Sequence, residues 1–439
     1  MATTYLYRTA GTPTSSKKFT ISAWIKFIKV GTEQHLFGAF DDTSNRTHFV
    51  ITDTGQLDLI VKVSGSNIAR LKSNAVMRDN NAWYHVVAKF DTTQITNSDR
   101  AKIYINGTQI TAFETETYPS QDAVAETQGT HDIGAYNNGG SRNNIFDGCM
   151  AHFHFTDGYA YDASTFGSTD ATTGIWKPTT GPSVTYGTNG FFLKFSNSAS
   201  LGTDSSGNTN TFTKAGSGLQ TKDNPNNNMA VLNFAIPTVS QNCTVTNGGT
   251  TINSTSPAHR NTPASIALPT GNGKFYWEMK VDSMTTHIKT GIGFTDWEYY
   301  TYLNQGTEFS GDALGYAYRN DGQKENNGIS SYGNSYTVND IIGVAFDTEN
   351  QKLFFAKNGT WQNSGDPAAG TNPAFTVTNN NIYYPVVNLY EAKVSYNFGA
   401  GYFGTTAIAS EGTNASNNGK FEYDVPTGFT AVSTKGLNL

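Results

Sequence analysis

Two stretches of this chain run strand-dense apolar and aromatic residues straight into Asn-Gly: "AKIYINGTQI" at residues 101–110 and "QKLFFAKNGTW" at residues 351–361. Asn-Gly tolerates the positive φ angles that a tight two-residue turn needs, so each stretch predicts an antiparallel β-hairpin. Two such hairpins, one in each half of the chain, call for a β-sheet system on either side of the middle. The length of 439 residues agrees, being too great for one ordinary core and comfortable for two domains.

Aromatic residues make up 13% of the chain and charged residues only 15%, with 44 glycines. Together with abundant Thr, Asn and Ser, this favours strands and turns over helices. No window sustains apolar residues at i, i+3, i+4 and i+7, and no apolar run has the length that spans a bilayer. The reading is an all-β protein without membrane insertion. The opening "MATTYLYRTAGTPTSSKKF" lacks the apolar stretch of a signal peptide, so secretory export is not expected. Two isolated cysteines, Cys149 and Cys243, cannot build a disulfide framework and are expected to be buried thiols. A net charge of −6 with no Lys/Arg block argues against a nucleic-acid partner.

From Phe19 onward come "FTISAWIKF", "QHLFGAF", "THFVITDTGQLDLIVKV", "AWYHVVAKFD", "AKIYINGTQI", "HDIGAYNN" and "DGCMAHFHFTDGYAYD". Each is a short strand bounded by turn residues, at the spacing of an antiparallel sandwich. With Trp24 in the opening strand, "WYHVVAKFD" from Trp83, "YINGT" from Tyr104 and "GCMAHFHFTDG" at the close, residues 1–165 resemble a LamG or concanavalin A-like domain. In "HFHF", His152 and His154 are expected on one exposed strand face with Phe153 and Phe155 turned to the core. A metal reading of that pair lacks a third ligand. His85, in a strand that looks like core, is not expected to be catalytic.

Residues 166–228 read as an extension and linker. Here "STFGSTDATTGIWKPTT" and "YGTNGFFLKFSNSASLGTDSSGNTNTFT" resemble a segment that follows LamG-like domains in bacteriophage virion proteins. The oxygens of Asp204, Asn208 and Asn210 around "DSSGN" are hard ligands suited to Ca²⁺, though too few for a full coordination shell. The favoured reading is an Asx-type turn, in which Asp204 bonds its own backbone two residues on. No other cofactor is expected. The end of the segment, "NTNTFTKAGSGLQTKDNPNNNMAV", has the Asn, Gly and Thr content of a linker.

The second half reads "GKFYWEMKV", "TGIGFTDWEYY", "GDALGYAYRNDGQKENNG", "YTVNDIIGVAFDTENQKLFFAKNGTW" and "IYYPVVNLYEAKVSYNFG". Ile341, Ile342, Val344 and Phe346 form the nearly continuous apolar run of a sandwich-core strand. The order of "YWEMKV", "GIGF", "VNDIIGVAFD", "LFFAKNGTW" and "YYPVVNLY" resembles a SPRY domain, over residues 229–400. The tail, 401–439, has a "VPTGF" turn and a "TKGLN" end resembling the close of such phage proteins. So polar a segment is expected to dock on a domain or a neighbouring subunit. The fold class is thus two antiparallel β-sandwiches in series, concanavalin-like and SPRY-like.

Catalytic chemistry is not indicated. Among paired carboxylates, Glu114 with Glu116 and Asp296 with Glu298 have the i, i+2 spacing of one strand face, and Glu278 with Asp282 lies near. All read as solvated groups, and the acidic triplet of sandwich glycosidases is missing. No nucleophile elbow, Walker loop, HExxH or Cys-x-x-Cys occurs. Binding remains, and Trp297, Tyr299, Tyr300 and Tyr302 in "TDWEYYTYLNQGTEF" form a dense aromatic cluster suited to a ligand contact or an interface. The resemblance implies a non-enzymatic virion structural protein on the capsid or tail surface. It would act as a fibre, appendage or decoration subunit, homo-oligomeric and in contact with other virion proteins and host-surface polysaccharide. A purely architectural cementing subunit is the alternative, and a polysaccharide depolymerase is less favoured.

Overall fold

A computed structural model describes residues 3–28, 31–79, 81–233, 243–294, 309–311, 315–378 and 381–438. The chain forms two compact units, Met1–Gln220 and Thr221–Leu439.

In the first unit the described strands make two two-stranded sheets, Tyr136–Asn138 with Ser141–Asn143 and Gly167–Thr169 with Trp176–Pro178, and two large ones. One has eight strands in the order Phe113–Thr117, Ser66–Val76, Gln56–Val63, Arg46–Ile51, Gln34–Phe40, Gly129–Ile133, Tyr5–Ala10 and Thr213–Ala215. The other has six: Phe191–Leu193, Gly148–Asp157, Lys18–Phe27, Tyr84–Asp91, Ala101–Ile105 and Thr108–Gln109. Successive side chains of a strand point to opposite faces, and the inward set here is apolar: Ile21, Ala23 and Ile25 from one sheet meet Phe49, Ile51, Leu57 and Leu59 from the other. This is a sandwich.

The Asn-Gly hairpin forms as expected. Asn106 and Gly107 have φ of 48° and 81°, and Ile105 pairs with Thr108. The glycine has a second role, because a Cβ there would lie 2.7 Å from the ring of Trp176. Trp176 comes from the extension, which returns over the outer face of the six-stranded sheet. Its indole Nε1 donates to His85 Nδ1 at 3.0 Å, and His85 Nε2 lies 2.9 Å from Ser22 Oγ. An indole N–H only donates, so His85 is the neutral tautomer with its proton on Nε2, donated to Ser22. Burial pushes His85 down to about 3, which keeps it so. Val87, Tyr104 and Ala163 complete this small outer core.

The second unit has one continuous system of thirteen strands among the described residues, built around two long partners, Lys274–Phe294 and Tyr383–Asn397. Register shifts at Val281/Ser283 and Met284/His287 mark where this pair bends, so that both strands serve two sheets. Phe275, Trp277 and Met279 face the main core with Val344, Phe346 and Phe355. Asn358 and Gly359, at φ 47° and 77°, close the second hairpin. A Cβ on Gly359 would lie 2.6 Å from the Tyr423 ring, so this glycine too is the seat of an aromatic from the segment after the sandwich.

The tail docks on its own unit. Phe421, Val425, Phe429 and Ala431 pack on Tyr276, Ala345 and Phe354, and Thr430 and Ala431 pair in parallel with Phe275 and Tyr276. The boundary between the two units, at Gln220/Thr221, falls within the stretch read as a linker, and the ends of that stretch join the unit on their own side. Thr213–Ala215 pairs with Tyr5–Tyr7 in the first unit, and Ala230 and Leu232 enter the core of the second. Cys149 and Cys243 are free thiols, partly exposed rather than buried.

Gly107→Ala and Gly359→Ala should each destabilise their own unit by more than the roughly 1 kcal/mol that a positive φ alone costs an alanine. Gly139→Ala, at φ 63° in open space, should cost only that amount. Denaturant unfolding of the three variants checks the ranking.

Candidate functional site

The candidate calcium residues Asp204, Asn208 and Asn210 are brought together in the Asx-type turn that the sequence favours, with the Asp204 carboxylate and the Asn210 side-chain oxygen engaged by the protein. Asp204 Oδ1 accepts from Phe192 N at 2.9 Å and Ser206 N at 2.8 Å, the second being the Asx-type turn. Its Oδ2 accepts from Ser206 Oγ and Asn210 N, both at 2.8 Å. Asn208 and Asn210 both donate to the Gly190 carbonyl, and Asn210 Oδ1 accepts from Arg8. The cluster pins the extension to the sandwich. Among the described residues no three His, Cys, Asp or Glu side chains group as metal ligands.

Trp297, Tyr299, Tyr300 and Tyr302 lie outside the described residues, as do Asp296 and Glu298. The expectation of an exposed His152/His154 pair is overturned. A register shift lies between Ala151 and His154, with His152 at φ 46°, yet Phe153 and Phe155 enter the core as expected and both histidines lie against Phe192 of the extension, which covers them. His154 is buried, stacked on Phe192 at 3.9 Å with Nδ1 2.9 Å from Tyr186 Oη. A second shift, between Phe113 and Thr115, separates Glu114 from Glu116. Glu114 accepts from Lys72 and Gln56, and Glu116 from the Tyr118 hydroxyl. Both are exposed, as expected of solvated carboxylates.

The extension closes the outer face of the six-stranded sheet. The outer face of the eight-stranded sheet instead carries a band of tyrosines, arginines and histidines. In register across it run Tyr7, Asp132, Gly38, His48, Ile60 and Arg70, with Asp58 and Lys72 on the next row. The short hairpin of Tyr136–Asn138 and Ser141–Asn143 carries two side chains onto this band. The Tyr136 ring lies 4.9 Å from His35 and 5.1 Å from His48. Arg142 bonds Asp132 at 2.9 Å, and its guanidinium lies 5.8 and 5.6 Å from the rings of Tyr5 and Tyr7. Arg46 lies 6.0 Å from the Tyr136 ring, within cation–π range. Tyr7 is 38% exposed, and a groove of about 430 Å³ beside it is lined by Arg8, Thr9, Asn210, Thr211 and Thr213.

Electrostatically the band is held in fixed states. Burial pushes Asp58 and Asp132 up, opposed in each case by its arginine, Arg70 at 2.8 Å or Arg142. Burial, with His35 and Arg46 nearby, holds His48 well below the usual histidine range. Tyrosine and arginine are the residues that dominate binding energy at recognition surfaces, and here several have rotamers fixed by stacking and ion pairing. Sequence reasoning missed this surface, since its members come from six strands and a hairpin. The signal available was the outward alternation of Tyr5, Tyr7, His48 and Asp58.

In the second unit the expectation of a solvated Glu278 is also overturned, for it is fully buried. Its carboxylate accepts from Tyr276 Oη at 3.2 Å and Asn397 Nδ2 at 3.1 Å, and from the tail backbone at Glu422 N, 3.0 Å, and Tyr423 N, 2.9 Å. Desolvation raises Glu278 to about 7 despite these donors. Burial and the neighbouring carboxylate push the Tyr276 phenol up, so it remains a donor. Glu278 is the polar pin of the docked tail.

Residues 2–161 match the family model of the concanavalin A-like lectin/glucanases superfamily, and residues 274–401 that of the SPRY domain. The chain therefore carries a concanavalin A-like, LamG-type sandwich followed by a SPRY domain. A curated relative, the ATP-dependent RNA helicase Ddx1 of Drosophila melanogaster, is 32% identical over 133 residues, 29% of this chain and 16% of the relative's length. Similar solved structures include the SPRY domain of human HERC1, at 22% identity and a TM-score of 0.29, covering 36% of this chain and 92% of that one. Another is the native heptameric SAP-like pentraxin from Limulus polyphemus, at 17% identity and a TM-score of 0.30, covering 41% and 86%.

The Glu278 pin gives tail docking a pH dependence. A carboxyl whose folded-state value is raised from 4.5 to about 7 stabilises the fold fully below 4.5, and that contribution is lost as pH rises through 7. Amide exchange of residues 409–425, corrected for intrinsic rates, should therefore show weaker protection at pH 8 than at pH 5. Glu278→Gln should flatten the difference. An unchanged slope in the variant would assign the effect elsewhere.

Proposed function

We propose that this chain is a non-enzymatic binding protein displayed on a virion surface, with the first domain contacting host-surface glycan through the Tyr5, Tyr7, Arg142 and Tyr136 face. The observation that carries this reading is the unequal covering of the two sheets. The extension closes one outer face with Trp176, Phe166 and Phe192, whereas the other presents ordered aromatic rings beside guanidinium and amide groups. Flat rings that pack against the C–H faces of sugars, next to fixed donors and acceptors, are what saccharide recognition uses.

Hydrolysis is not supported by this face. Its two buried carboxylates, Asp58 and Asp132, sit three strands apart, so their backbones are about 14 Å from one another at roughly 4.8 Å per strand. Glycosidases place their carboxyl groups about 5–9.5 Å apart. Each is also held by its own arginine. The virion assignment rests on the resemblance of the extension around "IWKPTT" and "DSSGN", and of the "VPTGF" tail, to phage structural proteins. Capsid and tail surfaces are both compatible with it, with neighbouring copies and other virion proteins as partners. The aromatic cluster from Trp297 to Tyr302 is proposed as a second contact, in the SPRY domain.

Tyr7→Ala and Tyr136→Ala should each weaken binding on a glycan array roughly tenfold, as the loss of one stacking contact of about 1.4 kcal/mol does. Both variants should keep the wild-type circular dichroism. Unchanged binding by both would exclude this face, and absence of any glycan binding by the wild type would favour a purely architectural subunit.

A further inference from the structure

The cations of the eight-stranded sheet's outer face are not equally matched. Arg70 is held by Asp58, Arg142 by Asp132 and Lys72 by Glu114, at 2.8 to 2.9 Å. Arg46 and Lys62 differ. They stand directly opposite each other on adjacent antiparallel strands, a like-charge arrangement that costs stability. Both donate to one neutral acceptor, the Thr43 carbonyl, Arg46 Nη1 at 2.9 Å and Lys62 Nζ at 3.3 Å. Among the described residues neither pairs with a carboxylate. The nearby Asp42 carboxylate is spent on its own turn, accepting from Ser44 N at 2.6 Å, Asn45 N at 2.8 Å and Asn45 Nδ2 at 3.1 Å.

We infer that Arg46 and Lys62 form an anion subsite within this face, taking the carboxylate of an acidic saccharide; this rests on the glycan-binding reading above. Sharing one acceptor holds the two cationic heads close together, and the guanidinium uses one of its five N–H groups on Thr43, leaving a planar fork suited to a carboxylate. The surroundings fit a sugar that carries that carboxylate. Tyr136 lies beside Arg46, Phe40 is its cross-strand neighbour, and Ile60 is two residues from Lys62 on the same face. An apolar ring face and an anionic substituent are thus met side by side. Two unmatched cations suit one carboxylate per sugar unit. A nucleic-acid backbone needs several phosphate contacts, and the net charge of −6 opposes it.

The test is titration of the full chain at neutral pH with polygalacturonate, with its fully methyl-esterified form, and with poly-glutamate. The acid polymer should bind, and more weakly as sodium chloride is raised. Methyl-esterification should weaken binding at least tenfold, and so should Arg46→Gln or Lys62→Gln. Lys62→Gln keeps the Arg46–Tyr136 stack and so serves as the variant least able to disturb folding. Equal binding of acid and ester, or unchanged binding by both variants, overturns the subsite and leaves the glycan reading standing. Tighter binding of poly-glutamate than of polygalacturonate overturns it in favour of an acidic protein partner. Binding of neither polysaccharide also overturns it, and the Tyr7 and Tyr136 variants on the array then judge the wider reading.

Discussion

The structure depends on how each sandwich disposes of the outward face of a sheet. A two-sheet sandwich buries one face of each sheet and leaves two faces to be made polar, covered or used. In both units the solution is the same: the chain leaves the sandwich, turns back, and sets an aromatic side chain on the glycine of the Asn-Gly hairpin. Trp176 sits on Gly107 and Tyr423 lies against Gly359. No larger residue fits at either glycine, since a Cβ would overlap the ring. The dipeptide that closes the hairpin is therefore also the seat of the cover.

Each cover is then fixed by a buried polar group on the sheet beneath. In the first unit His85 accepts the indole N–H while its backbone N–H donates to Asn106 Oδ1, tying cover and hairpin to one strand. In the second, Glu278 accepts from two tail amides. Burial keeps His85 neutral and makes Glu278 prefer its proton, so the first clasp is insensitive to pH near neutrality and the second is not. With the six-stranded sheet closed in this way, the eight-stranded sheet is the one in the first unit left to present side chains outward. Its charges are ordered by Arg–Asp pairing and its rings by contact with His35 and His48.

Much of the fold was legible in sequence because it is written locally. Both Asn-Gly turns, the inward set of Ile21, Ala23 and Ile25, and the run from Ile341 to Phe346 follow from turn chemistry and alternation over a few residues. The Asx-type turn at Asp204 was legible for the same reason. What escaped depends on distant partners. His154 is buried because Phe192 and Tyr186 of the extension pack on it, and nothing in "HFHF" announces that cover. Glu278 alternates correctly with Trp277 and Met279, yet its burial comes from a tail segment more than a hundred residues away. The Tyr/Arg face is assembled by the pairing order of six strands, so its members do not neighbour one another in the sequence.

The central claim is that the uncovered face of the first domain is the binding surface. Amide exchange of the full chain with and without saturating polygalacturonate tests it most directly. The account predicts added protection confined to residues 43–62 and 134–143, with the six-stranded sheet unchanged. Protection around Trp176 or confined to the SPRY domain would contradict it.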